Sequence, residues 1–537
     1  MKRTIKKVAV LGSGVMGSRI ACHFAGIGVQ VLLLDIIPKD VAADAKPAAK
    51  NKIVNDALAA AAKSNPSPLY SKDVIKRIST GNFDDNMKDI AGCDWIIEVV
   101  VERLDIKQQV YEKVEQFRKP GTLITSNTSG IPINMLSKGR SEDFRKHFCG
   151  THFFNPPRYL RLLEIIPTKD TDPSVLDFLM QYGDLYLGKT TVLCKDTPAF
   201  IANRIGVFGI MAIFNSMEKL NLSIDEIDAL TGPVIGRPKS ATFRTADVVG
   251  IDTLVKVAKG VGDNCPNDEA KDIFKIPEWL NTIVANNWLG DKTGQGFFKK
   301  IKSGAGEKEI QVLDLKTLEY KPRVKPKFAT VEAAKPIDDL KSRLKALVTG
   351  QDKAGEFYRH FHYALFSYIS NRIPEISDEI YRVDDAMMAG FGWEIGAFES
   401  WDTLNLVKTT AAMKAAGYTV APWVDEMIAA GNTSFYKIED GKRLYYDVAG
   451  KAYKALPGGE SFIVLNNYKD KIVWKNSNAA LYDIGDDVVA LQWNTKMNSI
   501  GSEVLEAVNK SIGIAEEKFK GLVIANDGAN FSAGANV

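Results

Sequence analysis

Cysteine is scarce and scattered. The five in 537 residues, Cys22, Cys93, Cys149, Cys194 and Cys265, form no Cys-x-x-Cys pair and no Cys/His set with metal-ligand spacing. That excludes a disulfide framework and a zinc-type cluster, and fits buried free thiols in a reducing compartment. Cys149 lies three residues before His152, so a catalytic thiol–imidazole pair competes there with a buried thiol, and the buried thiol is the favoured reading. No charge of one sign dominates: 69 Lys+Arg stand against 66 Asp+Glu, a net charge of +3. That balance argues against nucleic acid or an acidic membrane surface as a partner of the whole chain. No apolar run reaches membrane-spanning length, so no membrane insertion is expected. The basic start Met1 to Lys7, followed by Val8 to Leu11, mimics a secretion signal. Its apolar part is too short and runs directly into Gly12 and Gly14 without a small-residue cleavage site. A cytoplasmic location is the expectation.

What is present is an ordinary globular composition, 45% hydrophobic and 25% charged, on a chain too long for one core. Apolar runs at residues 5–11, Gln30 to Asp35, Asp94 to Val101 and Thr122 to Ser126 read as buried parallel-type strands. A helix from Ser18 to Gly28 separates the first two, and Val41 to Lys63 reads as an exposed helical excursion. Residues 1–194 are therefore expected to form an α/β domain, a Rossmann doubly wound parallel sheet. Residues 195–300 read as all-helical, and residues 301–345, rich in Lys and Pro, as a linker. Residues 346–430 read as a second helical domain that repeats the first. Ile227-Asp228-Ala229-Leu230 resembles Val383-Asp384-Asp385-Ala386-Met387, Gly236 and Ala241-Thr242-Phe243 resemble Gly392 and Ala397-Phe398, and Asp247 corresponds to Asp402. Two such units can pack as the subunits of a dimer would, so a monomer or a homodimer is expected. Residues 431–478 read as an irregular connector. In residues 479–537 strands return at Val488 to Gln492 and Gly521 to Ala525, with a helix from Ser502 to Lys518 between them. The stop after a Gly-rich turn reads as an incomplete last domain.

Gly12-Ser13-Gly14-Val15-Met16-Gly17 follows an apolar strand, opens a helix, and is followed by a second strand ending in Asp35. In that context the glycines signal a dinucleotide site. Gly12 permits the tight turn, Gly14 lets the backbone approach a pyrophosphate, and Gly17 lets helix and strand pack closely. Helix-terminal amides then face the phosphates. Asp35 can accept from ribose hydroxyls and would repel a 2′-phosphate, which favours NAD over NADP.

A second constellation is Ser126-Asn127-Thr128-Ser129 at a strand end, then His152 and Glu164. A strand, a Pro-broken loop and a returning strand can bring Glu164 beside His152, the orienting arrangement that a general base needs. A core histidine beside a surface glutamate is an equal reading of the same pattern. Asn203, on the first helix of the helical region, could reach an interdomain cleft, but spacing alone favours a solvent-facing residue.

Asn127-Thr128-Ser129, His152-Phe153-Phe154-Asn155-Pro156, Glu164, Asp196 through Arg204 and Lys292-Thr293-Gly294-Gln295-Gly296-Phe297 occur in order. Together they resemble the 3-hydroxyacyl-CoA dehydrogenases of fatty-acid β-oxidation over about residues 5–300. The resemblance implies that His152 takes the 3-hydroxyl proton with Glu164 as its partner, and that Ser129 and Asn203 hold substrate oxygens. It places Ser129, Glu102, Lys107 and Lys292 at the cofactor, NAD, and the Val41–Lys63 excursion, with Lys63, at CoA. The family often has Gly where Ala199 stands. It also has an apolar stretch where this chain has Gly236-Arg237-Pro238-Lys239, so those charges bear on acyl preference.

The remainder resembles fused β-oxidation proteins in which a crotonase-type enoyl-CoA hydratase domain adjoins the dehydrogenase. The implied fold is a Rossmann domain, two all-α dehydrogenase C-terminal-type domains and the start of a crotonase-type α/β domain. The implied partners are an acyl-CoA thioester and, for such assemblies, a thiolase. Asn494 to Asn498 and Phe531 to Asn536 carry this likeness. The Ala535 amide would be one oxyanion-hole donor, and without the rest of that site no hydratase activity is expected of this chain alone. Two other readings remain: a dehydrogenase of a hydroxy acid without CoA on the same scaffold, and a non-catalytic NAD-binding protein.

Overall fold

The computed structural model describes residues 3–302, 308–460, 463–527 and 530–535. Two compact units divide the chain, Met1–Thr433 and Ser434–Val537.

The first unit begins with β1 (Lys7–Leu11), β2 (Gln30–Asp35), β3 (Ile78–Asn82), β4 (Trp95–Glu98), β5 (Leu123–Ser126), β6 (Phe148–Phe153), β7 (Leu162–Pro167) and β8 (Thr190–Leu193). They form one sheet in the order β3-β2-β1-β4-β5-β6-β7-β8. β1 to β6 are parallel, β7 runs antiparallel to β6, and β8 is parallel to β7. The expected Rossmann sheet is present, with β7 and β8 running opposite to the six parallel strands before them. The reversal follows from the short loop between Phe153 and Leu162, which cannot make the dozen-residue crossover that a parallel neighbour requires. Val8 to Leu11, Leu33, Leu34, Ile96 and Ile97 are fully buried, as both-faces-covered strands demand. β3 and β8 carry no long apolar run; they are the two edges of the sheet.

Helix α1 (Val15–Gly26) buries Ile20, Ala21 and Phe24 against this sheet. The expected excursion is helical only in its second half, as one turn at Pro47–Lys50 and then α2 (Lys52–Lys63). Pro38 and Pro47 bracket the earlier part, where turns replace helix. Helix α3 (Leu104–Phe117) follows β4.

The helical region opens with α4 (Ala202–Leu220) and α5 (Ile224–Leu230); α6 (Lys353–Asn371) and α7 (Ile380–Phe391) begin its echo. The two regions share local geometry at two of the positions whose sequences resemble each other. Asp228 accepts from the amides of Thr242 (3.1 Å), Phe243 (2.8 Å) and Arg244 (3.2 Å), and Asp384 from those of Phe398 (2.8 Å) and Glu399 (3.0 Å). Gly236 and Gly392 both sit in the left-handed region, φ 68° and 66°. Helices α4 and α6 cross with Phe208 stacked on Tyr368, ring centroids 3.7 Å apart. Beside that stack the buried Arg204 guanidinium meets Asp268 (2.7 Å), Glu375 (3.1 Å) and the Tyr368 hydroxyl (2.6 Å).

Residues 301–345, read as a linker, hold structure. An antiparallel sheet joins Phe298–Lys302, Lys308–Leu313 and Tyr320–Pro322, and helices Ala329–Ala334 and Leu340–Val348 follow. Phe298 and Leu313 are buried while most of the segment's lysines face water, so composition hid the alternation.

In the second unit the segment read as an irregular connector holds a three-stranded sheet, Tyr436–Glu439, Lys442–Asp447 and Ala452–Ala455. Its first turn is Asp440-Gly441, both with positive φ, the Asp-Gly hairpin signal that polarity obscured. A further sheet joins Ile472–Lys475, Ala479–Asp483, Val488–Trp493 and Gly521–Ile524. The last two strands are parallel and are linked through helix Ser502–Lys518, as the sequence suggests.

Candidate active site

The glycine turn joins β1 to α1. Gly12 has φ +104°, and a Cβ there would meet Val99 O at 2.6 Å; one on Gly17 would meet Gly12 O at 1.8 Å. Nothing lies within 4 Å of a Cβ built on Gly14. Gly12 and Gly17 are thus required by packing, whereas Gly14 keeps open space at the start of α1. No side chain caps that helix, and Val15 is exposed and Met16 partly so. Free amides and open space above a glycine fit a pyrophosphate. Asp35 ends β2 and braces the turn: Ser13 donates to its Oδ2 from both amide (2.6 Å) and hydroxyl (2.5 Å).

Beside the turn, the ends of β4 and β5 are tied by buried charge. Glu98, fully buried, accepts from Lys107 Nζ (2.7 Å), Tyr111 (2.9 Å), Ser126 (2.6 Å) and the Val100 amide (2.7 Å). Glu102 accepts from the Thr128 hydroxyl (2.6 Å) and the amides of Ser129 (3.0 Å) and Gly130 (2.9 Å). Burial pushes the Glu102 carboxyl up, but Lys107 and these three donors win and hold it below the usual range. Ser129 stays exposed on a loop fixed from beneath. Lys107 is 1% exposed and its ammonium is occupied by Glu98 and Glu102, so it supports that loop from inside.

His152 and Glu164 face each other across the antiparallel β6/β7 pair, in direct register. His152 Nδ1 lies 2.7 Å from Glu164 Oε2, and both residues are buried. Because a carboxylate only accepts, Nδ1 carries a proton, and in the neutral ring the lone pair then falls on Nε2. Glu164 Oε1 accepts from the amides of Ile201 (3.1 Å) and Ala202 (2.8 Å) at the start of α4. The rings of Phe154 and Phe200 flank the imidazole at 4.7 and 5.6 Å. Asn203 follows Ala202 directly in α4 and is half-buried. Ser129 and His152 leave the carboxyl ends of the neighbouring parallel strands β5 and β6, where ligands of such sheets bind. Ala199 and Phe200 adopt φ 63° and 50°, so Ala199 stands in a left-handed turn before the helix rather than at its start.

Lys63 is exposed at the end of α2. Lys292 pairs with Asp252 on the helical region's surface. Ala535, in the second unit, bridges Ile500. Cys149 is fully buried and burial pushes its thiol far up, so it forms no catalytic pair with His152. Among the described residues no cluster of His, Cys, Asp or Glu could hold a metal, and no helix is long and apolar enough to cross a membrane. Sequence reading missed Glu98, although an acid closing the apolar run Trp95-Ile96-Ile97 was its signal. It also missed Asp196, which accepts from the amides of Ile133 (2.8 Å) and Asn134 (2.9 Å) and so ties the helical region's approach to the sheet.

Two family models match the chain: "3-hydroxyacyl-CoA dehydrogenase, NAD binding domain" over residues 7–197 and "3-hydroxyacyl-CoA dehydrogenase, C-terminal domain" over residues 200–300. A Bacillus subtilis protein named "Probable 3-hydroxyacyl-CoA dehydrogenase" is 43% identical over all of this chain and 68% of its own length. A Rickettsia prowazekii protein named "Putative fatty acid oxidation complex trifunctional enzyme" is 31% identical over all of this chain and 69% of its own. The crystal structure of Escherichia coli 3-hydroxybutyryl-CoA dehydrogenase shares the fold, with a TM-score of 0.56 at 20% identity over 80% of this chain and 99% of that one.

Proposed function

Because the chain belongs to the 3-hydroxyacyl-CoA dehydrogenase family of NAD-dependent oxidoreductases, we propose that it oxidises (3S)-3-hydroxyacyl-CoA to 3-oxoacyl-CoA in fatty-acid β-oxidation, with NAD as its cofactor. The observation that carries this reading is the buried His152–Glu164 pair, 2.7 Å apart at the ligand-binding end of the sheet. NAD supplies the hydride acceptor. His152 Nε2 takes the 3-hydroxyl proton, and Glu164, held by two helix amides, fixes the tautomer and stabilises the imidazolium that forms. Ser129 and Asn203 hold the substrate oxygens. Gly12 to Gly17 take the pyrophosphate and Asp35 the adenosine ribose; Glu102 and Ser129 border the nicotinamide ribose, with Lys107 acting through Glu102. Lys292 and Lys63 are the surface cations assigned to the cofactor and to CoA.

We assign residues 1–194 to cofactor binding, 195–300 to substrate binding and 346–430 to a repeat that covers the face a partner subunit would cover, which favours a monomer. Residues 479–537 are assigned to a crotonase-type fold with Ala535 as an oxyanion donor, and a thiolase as a partner in the cytoplasm. The names of the relatives support this pathway.

The test is loss of NADH absorbance with acetoacetyl-CoA against free acetoacetate, for the chain and for His152→Gln. Turnover of the thioester alone, abolished in the variant, is expected. Equal turnover of both compounds would favour a hydroxy-acid dehydrogenase, and equal turnover by both proteins would remove His152 from the mechanism.

A further inference from the structure

Resting on that activity, we propose that a cleft between the loop after His152 and the second helical copy receives the far end of the substrate's acyl chain. The β6/β7 ladder ends at Phe153 opposite Leu163, one residue past His152–Glu164, and Phe154 and Leu162 are the residues next beyond it. The Phe154 ring touches His152, centroids 4.7 Å apart. Helix α7 packs on Leu162: a Cβ on Gly390 would lie 2.7 Å from Leu162 Cδ2 and 3.6 Å from the Ala202 side chain. Just beyond opens a cleft of about 420 Å³. Tyr159 and Leu160 line one wall and Met388, Ala389 and Trp393 the other, with Arg161 and Glu394 at the rim. A chain attached to a thioester near His152 meets Phe154 first and this cleft next.

The walls are built before any ligand arrives. The Lys189 ammonium, itself buried, donates to Pro157 O and, at 2.8 Å, to Leu160 O. Arg158 donates to Ser67 O (3.0 Å) and Leu69 O (2.8 Å), and the Tyr159 hydroxyl to Ser67 O (2.9 Å). Opposite them the Arg237 guanidinium lies over the Trp393 ring at 4.0 Å. Arg237 therefore bears on acyl preference through Trp393, not by facing the substrate. The volume lies within the range of small-molecule sites. At a water-like ~30 Å³ per methylene it has room for on the order of ten. Each methylene buried is worth roughly fourfold in binding.

The readout is the ratio of kcat/KM for 3-oxododecanoyl-CoA over acetoacetyl-CoA, both reduced by NADH. A wild-type ratio at or above one is expected, lowered at least tenfold by Met388→Trp and by Glu394→Trp, which fill the cleft from wall and rim. Glu394 is exposed, so its variant folds even if the other does not. Calorimetric titration with dodecanoyl-CoA and butyryl-CoA makes the same comparison without chemistry, so a chain that turns nothing over still decides the matter. Ratios that stay within twofold of wild type in both assays overturn the proposal, as does a hundredfold wild-type preference for the short thioester. Absent turnover with length-dependent binding would instead sink the parent reading and keep the cleft.

Discussion

Glu164 accepts from the Ala202 amide at 2.8 Å, so the carboxylate that orients His152 also ends the first helix of the helical region. One side chain thereby fixes the base and the seam between cofactor-binding sheet and helices. The positive end of a helix favours the charged form of a carboxylate placed there.

Glu164→Gln and Glu164→Ala separate these two tasks. The amide can still accept from α4, but its NH2 cannot accept from Nδ1. We expect Glu164→Gln to lower kcat for acetoacetyl-CoA reduction by about 10²-fold or more while thermal stability changes little. Glu164→Ala should lose similar activity and also about 1–3 kcal/mol of stability from unsatisfied buried amides. Equal melting temperatures for the two variants would show that the helix contact is idle.

Gly14 and Gly17 should respond oppositely to alanine. The Gly17 methyl collides with Gly12 O, so Gly17→Ala should lower the melting temperature. The Gly14 methyl enters open space, so Gly14→Ala should fold normally and bind NADH at least tenfold more weakly by fluorescence titration. Unchanged NADH affinity in Gly14→Ala would mean that no phosphate approaches there.

Lys189 gives a pH signature. Burial lowers its pKa from 10.5 to about 8 in the fold. Between those values the unfolded lysine holds a proton that the folded one has released. Stability therefore rises with pH across that window, by up to about 3 kcal/mol. The urea midpoint of the wild type minus that of Lys189→Met should increase from pH 8 to pH 10. A flat difference would place the ammonium in water.

Arg204 should be the costliest surrounding charge to delete. Arg204→Met strands the fully buried Asp268 beside Arg372, with which it keeps a 3.3 Å contact. Removing one partner of a buried pair costs about 3–5 kcal/mol. The melting temperature should fall by several degrees, and a fall under one degree would show that Arg372 alone neutralises the aspartate.

Much of this was legible in residue order. The glycine turn with Asp35 announced itself, because backbone chemistry dictates glycine there. The alternation of Leu162 to Ile166 after a proline-broken loop allowed Glu164 to return to His152, as an equal alternative to a core histidine beside a surface glutamate. Less legible was anything set by distant chain. Nothing near Lys189 in sequence reveals the carbonyls of Pro157 and Leu160. Edge strands β3 and β8 escaped because an edge needs little apolar sequence. The Lys-rich hairpin after Phe298 escaped because its composition hid the few buried apolar positions, Phe298 and Leu313.

The contact of Arg237 with Trp393 has a meaning beyond its distance. On the proposed repeat, each is the residue just after the left-handed glycine of its own copy, and the two side chains meet. Between identical subunits such a position confronts itself, so arginine would face arginine and tryptophan would face tryptophan. Joining both copies in one polypeptide lifts that constraint. Each side can then specialise for the other, cation on one and ring on the other, and inheritance of a matched pair no longer requires one residue to suit both roles.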